Sequence, residues 1–443
     1  MESNRQKLVV LGGGESGVGA ALLAKEKGYA VFLSDRGALQ PHYRERLNNA
    51  GVPFEEGGHD EARILEAGIV VKSPGIPEKN PLVQAIRSKK VQLVSEIEFA
   101  SWFTDALIIG ITGTNGKTTT TRLTHHLLLS GGKDAALGGN VGKSFAMNLL
   151  EGSSAIHVLE LSSFQLDDIG RFHPNIAMLL NITPDHLDRY DYALEKYAAA
   201  KLRIVENQGP EDLFLYNASD PHTLAFVRNT RLKSRAIGLH QGMFDGARLN
   251  AGGEVFDLSS SSLKGAHNAM NALFAIHAAQ ELGIDKDAIQ QGLNSYINAP
   301  HRLEWVAEIN GITYFNDSKA TNIESAYYAL QAMSRPVVWI VGGQDKGNDY
   351  AALFALVREK VKAIVCLGLD NRKILDAFGS FGLPVLETTS ARDAVAAASS
   401  LAGKGDVVVL APACASFDLF RNYEDRGDQF REAVYALGKP SHV

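Results

Sequence analysis

The sequence predicts an α/β protein of three domains built on largely parallel sheets. Three observations point to it. Apolar runs of strand length alternate with helix-length segments along the chain, two glycine-rich turns each join such a run to a helix, and 443 residues amount to about three domains of ordinary size.

The first domain is expected over 1–100. A strand at 8–11 runs into Gly12-x-Gly14-x-x-Gly17, a helix follows, and the next strand, 30–35, ends at Asp35. Glycines at this spacing let a pyrophosphate approach a helix N-terminus, with the carboxylate on a ribose. A dinucleotide and a nucleotide-diphosphate sugar fit equally well, and tight strand-to-helix packing alone would also use the glycines. A third strand, 69–72, leads into Ser73-Pro74-Gly75-Ile76-Pro77. Loops at the carboxyl ends of parallel strands converge on one crevice, so this loop lines the same ligand.

The second domain is expected over 101–300. The strand at 106–109 leads into Gly110-Ile-Thr-Gly-Thr-Asn-Gly-Lys-Thr-Thr120, and a helix opens at Thr118. This is a phosphate-binding turn: backbone N–H groups curl onto phosphate oxygens, Lys117 adds a cation and Thr118 offers a hydroxyl to Mg²⁺. Its first glycine is Gly110, one residue earlier than the general pattern places it. Glu160 closes a strand at 157–160 and is a hard oxygen ligand suited to Mg²⁺. His186 lies in the turn-rich stretch 181–190, and Lys201 falls in a helix expected over 192–205. On residue type alone the histidine reads as an ordinary loop residue and the lysine as a solvated charge. The third domain, 301–443, carries strand-like runs at 337–341, 363–367 and 407–411, and 259–262 reads as a serine-rich loop.

A net charge of −6 gives no footprint for nucleic acid or an anionic membrane, so positive charge is local, at phosphate sites. The two cysteines, Cys366 and Cys414, lack metal-ligand spacing and suit a reducing compartment. No apolar stretch reaches the ~18 residues of a membrane span, and 1–7 is polar without a signal-peptide core. A soluble cytoplasmic protein is expected.

Several motifs in fixed order carry a family resemblance: Gly113-Thr-Asn-Gly-Lys-Thr-Thr119, Leu159-Glu-Leu-Ser-Ser-Phe-Gln-Leu166, the run 181–190, His267-Asn268, Pro300-His-Arg-Leu-Glu304, Asn316-Asp-Ser-Lys-Ala-Thr-Asn322 and Ala411-Pro-Ala-Cys-Ala-Ser-Phe-Asp418. From Gly12 to Phe430 the chain resembles the Mur ligases, and within them the D-glutamate-adding branch. The early Gly110 is the spacing of that family's phosphate loop. The resemblance implies a Rossmann-like N-terminal domain for the UDP substrate, a central P-loop ATPase domain and a Rossmann-like C-terminal domain for the amino acid.

It also implies roles for individual residues. Gly113, Thr114, Asn115, Gly116, Lys117, Thr118 and Thr119 would hold ATP, with Asn268, Arg302 and Asp317 on the nucleotide and Lys319 facing the reaction centre. Thr118, Glu160, His186 and a carbamylated Lys201 would hold Mg²⁺, two ions in all. Gly14, Ser16, Gly17, Asp35, Arg36, Ser73, Pro74 and Gly75 would bind the UDP part of the substrate, which Asn140 and His186 also reach. Thr321, Lys346, Ser416 and Tyr423 would hold D-glutamate; Tyr423 stands where a member of the D-glutamate-adding branch carries phenylalanine.

The implied reaction is ATP-dependent amide formation between UDP-N-acetylmuramoyl-L-alanine and D-glutamate, through an acyl phosphate, by a monomer whose C-terminal domain closes on a hinge. Two other readings are another ligase of this fold, including a folylpolyglutamate synthase, and an NAD-dependent oxidoreductase suggested by Gly12–Gly17 and Asp35.

Overall fold

The computed structural model of the protein describes residues 6–152, 154–345 and 347–438. Two compact units emerge, one of residues 1–261 with 268–296, the other of 262–267 with 297–443. Among the described residues no helix is long and apolar enough to cross a membrane.

The first unit holds two parallel sheets. The N-terminal sheet comprises β1 (Lys7–Leu11), β2 (Ala30–Ser34), β3 (Phe54–Glu55), β4 (Ile69–Lys72) and β5 (Gln92–Ser95) in the order β3-β2-β1-β4-β5. All five strands are parallel, and the order of strand addition reverses at β1, so the Gly12–Gly17 turn sits at the switch point where parallel sheets open a crevice. The second sheet comprises β6 (Leu107–Thr112), β7 (Ala135–Gly139), β8 (Ile156–Glu160), β9 (Ile176–Leu179), β10 (Leu213–Asn217) and β11 (Arg235–Leu239) in the order β11-β10-β9-β6-β8-β7. Its middle strands are apolar without alternation because helices cover both faces; β8 and β9 are buried along their whole length. Again the switch falls at one strand, β6, whose carboxyl end carries the phosphate loop.

A small antiparallel sheet of β12 (Phe244–Asp245), β13 (Arg248–Ala251) and β14 (Glu254–Asp257) completes this unit. It departs from the parallel pattern expected of the sequence. Its cause is local: Gly252 and Gly253, at φ +59° and +81°, close the tight turn between β13 and β14 that twisted hairpins favour.

The second unit is a six-stranded sheet of β15 (Glu304–Ile309), β16 (Ile312–Asn316), β17 (Val337–Val341), β18 (Val361–Leu367), β19 (Val385–Thr388) and β20 (Val407–Leu410), ordered β15-β16-β20-β17-β18-β19. Only β15 runs antiparallel, paired with β16 through a turn at Asn310-Gly311 in which both residues have positive φ. The runs 316–322, 342–347 and 411–418 therefore follow the carboxyl ends of β16, β17 and β20, three neighbouring parallel strands.

The N-terminal and central sheets are joined by a buried ion pair. Lys72, the last residue of β4, places its Nζ 2.9 Å from Asp168 Oδ2, with side chains only 3 % and 1 % exposed. Arg87 holds the other Asp168 oxygen, and the Asp168 carbonyl accepts the Ser95 amide at 2.9 Å. Glu98 adds a second tie, its carboxylate accepting the backbone N–H groups of Gly170, Arg171 and Phe172. Removing one member of a buried pair strands the other charge, which is costlier than never having built the pair. Asp168→Ala is expected to destabilise the protein by about 3–5 kcal/mol, read as a fall in the urea midpoint; a midpoint unchanged within error would show that the pair does not hold the two sheets together.

Candidate active site

The phosphate loop is shaped by two glycines and closed on itself. Gly113 has φ +152°, and a Cβ there would lie 2.9 Å from the Leu180 side chain. Gly116, at φ +82°, caps the helix Lys117–Ser130, and its Cβ would meet Asn271 Oδ1 at 2.5 Å. Neither position tolerates a side chain. Asn181, just beyond β9, exchanges hydrogen bonds with Asn115, accepting its N–H at 2.8 Å and donating to its carbonyl at 3.1 Å. Thr114 donates its hydroxyl to the Thr183 carbonyl at 3.1 Å. The Lys117 ammonium donates to the carbonyls of Gly113 and Thr114, both at 2.7 Å. Thr118, half-buried, and Thr119, buried, occupy the first helical turn. Asn268 is buried, and its side chain accepts a hydrogen bond from Asn271 at 3.3 Å, so it stands one residue away from the Gly116 turn. Asn271 itself carries no sequence motif; only its spacing, one turn after Asn268, could have flagged it.

Lys201 lies behind the loop. The sequence leaves a solvated charge open for it, but it is 1 % exposed and donates to the Gly113 carbonyl at 2.9 Å. Its helix is shorter than expected, Leu194–Leu202, tightening into a 3₁₀ turn at Arg203–Val205. Burial, then the neighbouring Lys117 charge, pushes the Lys201 amine well below the usual lysine range, against the pull of Asp185, Asp167 and Glu160.

Glu160 ends β8 beside this cluster. Its Oε1 accepts the Asn140 side-chain amide at 2.9 Å, and its carbonyl accepts the Asn140 N–H at 2.8 Å. The other oxygen, Oε2, is buried with no protein hydrogen-bond partner. A carboxylate oxygen left this way is what a hard cation would complete. His186 has φ +52°, caps the 3₁₀ turn Leu187–Tyr190 and packs on Phe164 at 5.2 Å. Among the described residues no group of three His, Cys, Asp or Glu side chains could hold a metal alone; the donor set fits Mg²⁺ only with Thr118 and ligand oxygens counted in.

In the N-terminal sheet, Gly17 is required for close packing, since a Cβ would lie 1.8 Å from the Gly12 carbonyl. Nothing lies within 4 Å of a Cβ at Gly14, so that side of the turn is open. Asp35 accepts the backbone N–H groups of Gly13 and Gly37 and so fixes the turn. Ser16 is half-buried and Arg36 exposed. The Ser73–Gly75 loop meets the central sheet: Arg189 donates to the carbonyls of Pro74 at 3.2 Å and Gly75 at 3.3 Å while lying 4.3 Å over the Phe164 ring.

In the second unit, Asp317 is anchored by its N–H to the Leu410 carbonyl at 2.8 Å. Burial raises its carboxyl to about 7, opposed by Arg302. Lys319 places its ammonium 3.7 Å from the Tyr423 ring centre. Thr321 is half-buried and Ser416 buried on neighbouring loops, tied by the Ala413 N–H to the Ala320 carbonyl at 2.8 Å. Lys346 lies outside the described residues. Sequence reasoning passed over Arg426, which sits buried beneath these loops.

A parallel sheet with a phosphate loop at its switch point, followed by a second parallel α/β unit, defines a P-loop nucleotide-dependent enzyme. The chain belongs to the Mur ligase family. Its residues 6–95 match the Mur ligase MurD-like N-terminal domain, 111–279 the Mur ligase middle domain and 301–414 the Mur ligase glutamate ligase domain. It is 49 % identical to the UDP-N-acetylmuramoylalanine--D-glutamate ligase of Christiangramia forsetii, over 98 % of this chain and 100 % of that one. It is 47 % identical to the ligase of the same name from Porphyromonas gingivalis, over 99 % and 100 %. Among solved structures the fold resembles a UDP-N-acetylmuramate-alanine ligase from Thermotoga maritima, with a TM-score of 0.60 at 20 % identity over 98 % of this chain and 100 % of that one. It also resembles Mycobacterium tuberculosis folylpolyglutamate synthase, with a TM-score of 0.58 at 18 % identity over 76 % and 92 %.

Gly116→Ala is expected to weaken binding of a non-hydrolysable ATP analogue by about tenfold or more, since a left-handed non-glycine residue costs ~1–3 kcal/mol and displaces Asn271. Calorimetric titration checks this, and unchanged affinity would mean the turn is not the phosphate site.

Proposed function

We propose that this protein is the ATP-dependent ligase that joins D-glutamate to UDP-N-acetylmuramoyl-L-alanine in the cytoplasmic stage of peptidoglycan synthesis. The observation that carries this reading is full-length similarity, at 49 % identity, to a ligase of that name. The phosphate loop and the buried lysine behind it are the parts such chemistry needs.

The substrate carboxylate attacks the γ-phosphorus of ATP, forming an acyl phosphate as ADP leaves. The D-glutamate amine then attacks the acyl carbon, the nitrogen loses a proton, and the tetrahedral intermediate expels inorganic phosphate to leave the amide. Activation is required because a free carboxylate is a poor acyl donor. The loop 113–119 and Lys117 cradle the triphosphate and offset charge as two anions approach. Asn268, Arg302 and Asp317 are assigned to the nucleotide, and Lys319 to the reaction centre. Gly14, Ser16, Gly17, Asp35, Arg36 and Ser73–Gly75 are assigned to the UDP portion, with Asn140 and His186 nearer its reactive end. Thr321, Lys346, Ser416 and Tyr423 are assigned to D-glutamate.

Thr118, Glu160, His186 and Lys201 would hold Mg²⁺, two ions in this reading, which would neutralise charge between triphosphate and carboxylate. Lys201 serves as a carbamate: its neutral amine forms an N–C bond to CO₂ and releases a proton to solvent, turning a buried cation into an anion. Its burial and its bond to Gly113 support that role. The protein is proposed to act as a monomer.

Phosphate release with ATP, Mg²⁺ and UDP-N-acetylmuramoyl-L-alanine is expected with D-glutamate and not with L-glutamate, L-lysine, meso-diaminopimelate or no amino acid. Release with a different acceptor would move the protein elsewhere in the family. Lys201→Ala is expected to lose activity and regain part of it in added short-chain carboxylates; no regain would remove the carbamate from the mechanism.

A further inference from the structure

The Arg426 side chain is 0 % exposed, yet among the described residues none of its hydrogen-bond or ion-pair partners is a carboxylate. It rises from the first turns of the helix Tyr423–Leu437. Its Nε donates to Ser318 Oγ at 3.0 Å, and Nη2 donates to the carbonyls of Ser318 at 2.9 Å and Cys414 at 3.2 Å. Nη1 donates to the carbonyls of Cys414 at 3.2 Å, Gly342 at 3.4 Å and Ala415 at 3.5 Å. These acceptors belong to the loops after β16, β17 and β20. One side chain thus ties together the three loops that carry Thr321, Lys346 and Ser416. Gly343 marks how closely the loops are drawn in: a Cβ there would lie 2.2 Å from the Ala415 carbonyl and 3.2 Å from Arg426 Nη1.

This arrangement has an electrical direction. In a trans peptide the N–H points opposite to the C=O, so the Gly342 carbonyl, 3.4 Å from Nη1, and the Ala415 carbonyl, 3.5 Å from Nη1 and held by the Gln344 N–H at 2.8 Å, leave the N–H groups of Gly343 and Ser416 on the side away from the guanidinium. Outward amides backed by a buried cation form a surface that attracts an anion. A guanidinium cannot shed its proton as a buried lysine can, and its charge is offset only in part by the carbonyls around it and by the nearby Asp418 carboxylate, which makes no hydrogen bond to it. A ligand carboxylate would complete the compensation.

We propose that Arg426 is a positioning residue for the acidic amino acid: it locks the three loops so that the Gly343 and Ser416 amides face a side-chain carboxylate, and its charge favours a dicarboxylate over the corresponding amide. This inference rests on the ligase reading above.

The test compares the full-length protein with Arg426→Lys and Arg426→Met in the phosphate-release assay, titrating D-glutamate, D-glutamine and ATP separately. For Arg426→Met the KM for D-glutamate is expected to rise by at least about tenfold, the preference for D-glutamate over D-glutamine to fall by a similar factor, and the KM for ATP to stay within about threefold of the unsubstituted value. Arg426→Lys keeps the charge but not the fork, so it is expected to retain the preference with an intermediate KM. Unchanged preference and D-glutamate KM in both variants would overturn the inference alone, as would a parallel rise in the ATP and D-glutamate KM values, the pattern of a merely structural role. Should Arg426→Met melt below the assay temperature, the split between amino-acid and ATP KM in Arg426→Lys decides. Absence of D-glutamate-dependent release by the unsubstituted protein would overturn the ligase reading and this inference with it.

Discussion

Two lysine side-chain nitrogens converge on a single carbonyl oxygen, that of Gly113, Lys117 at 2.7 Å and Lys201 at 2.9 Å. Much of the site's chemistry depends on this contact. The carbonyl belongs to the turn whose amides would cradle phosphate, so the same hydrogen bonds that fold the loop bring two like charges together. Like charges at such separation disfavour double ionisation, and burial adds a solvation penalty to whichever cation is further from water. Lys201 is the further one. Its amine is driven toward the neutral, nucleophilic form, while Lys117 remains on the half-buried side where an anionic ligand would approach.

Sheet order determines what else can reach that point. Because β6 lies between β8 and β9, Glu160, which ends β8, and Asn181, just past β9, flank the turn without any long excursion. Asn181 braces the loop through Asn115; Glu160 presents an oxygen that the protein leaves unpartnered. Arg189 then extends the same segment to the Pro74 and Gly75 carbonyls, while the Lys72–Asp168 pair fixes β4 against the central layer. The loop expected to bind the UDP part and the loop expected to bind phosphate lie in one compact unit, held by the buried Lys72–Asp168 pair and by the more exposed Arg189 contacts.

The parts legible in the sequence are those in which local chemistry and local structure coincide. Glycines 113 and 116 announce their turn because only positive φ and absent side chains allow it, and the strands β1, β4, β6, β8, β17 and β20 announce themselves as short apolar runs. The strands that flank the Gly252-Gly253 turn, Arg248–Ala251 and Glu254–Asp257, are as short as β4 and β20 but mix polar with apolar residues, so they do not stand out from loop. What stayed hidden was tertiary: Asn271 against Gly116, Asp168 against Lys72, and Arg426 beneath three loops are pairings between residues far apart in the chain. Residue type misleads there, since a lysine or arginine on a helix is solvated far more often than not. Lys201 is an example, for it is buried together with Tyr197, Ala198 and Ala200 of its helix, a packing that residue type does not reveal.

Lys201 and Arg426 make an instructive pair, because both are cations removed from water and the protein treats them differently. The lysine is held by one carbonyl and pressed by a neighbouring charge, conditions that favour loss of its proton and so make it a group that chemistry can modify. The arginine is held at about 10, below its ordinary value because of burial, which is still far above any working pH, and its hydrogen bonds to carbonyls and a hydroxyl suit a permanent cation. A permanent charge cannot be switched; it can only orient what surrounds it and wait for a counter-charge. That difference separates a lysine whose proposed role is as a carbamate from an arginine whose proposed role is to hold loops in register, and it follows from side-chain chemistry acting within two differently built sets of hydrogen bonds.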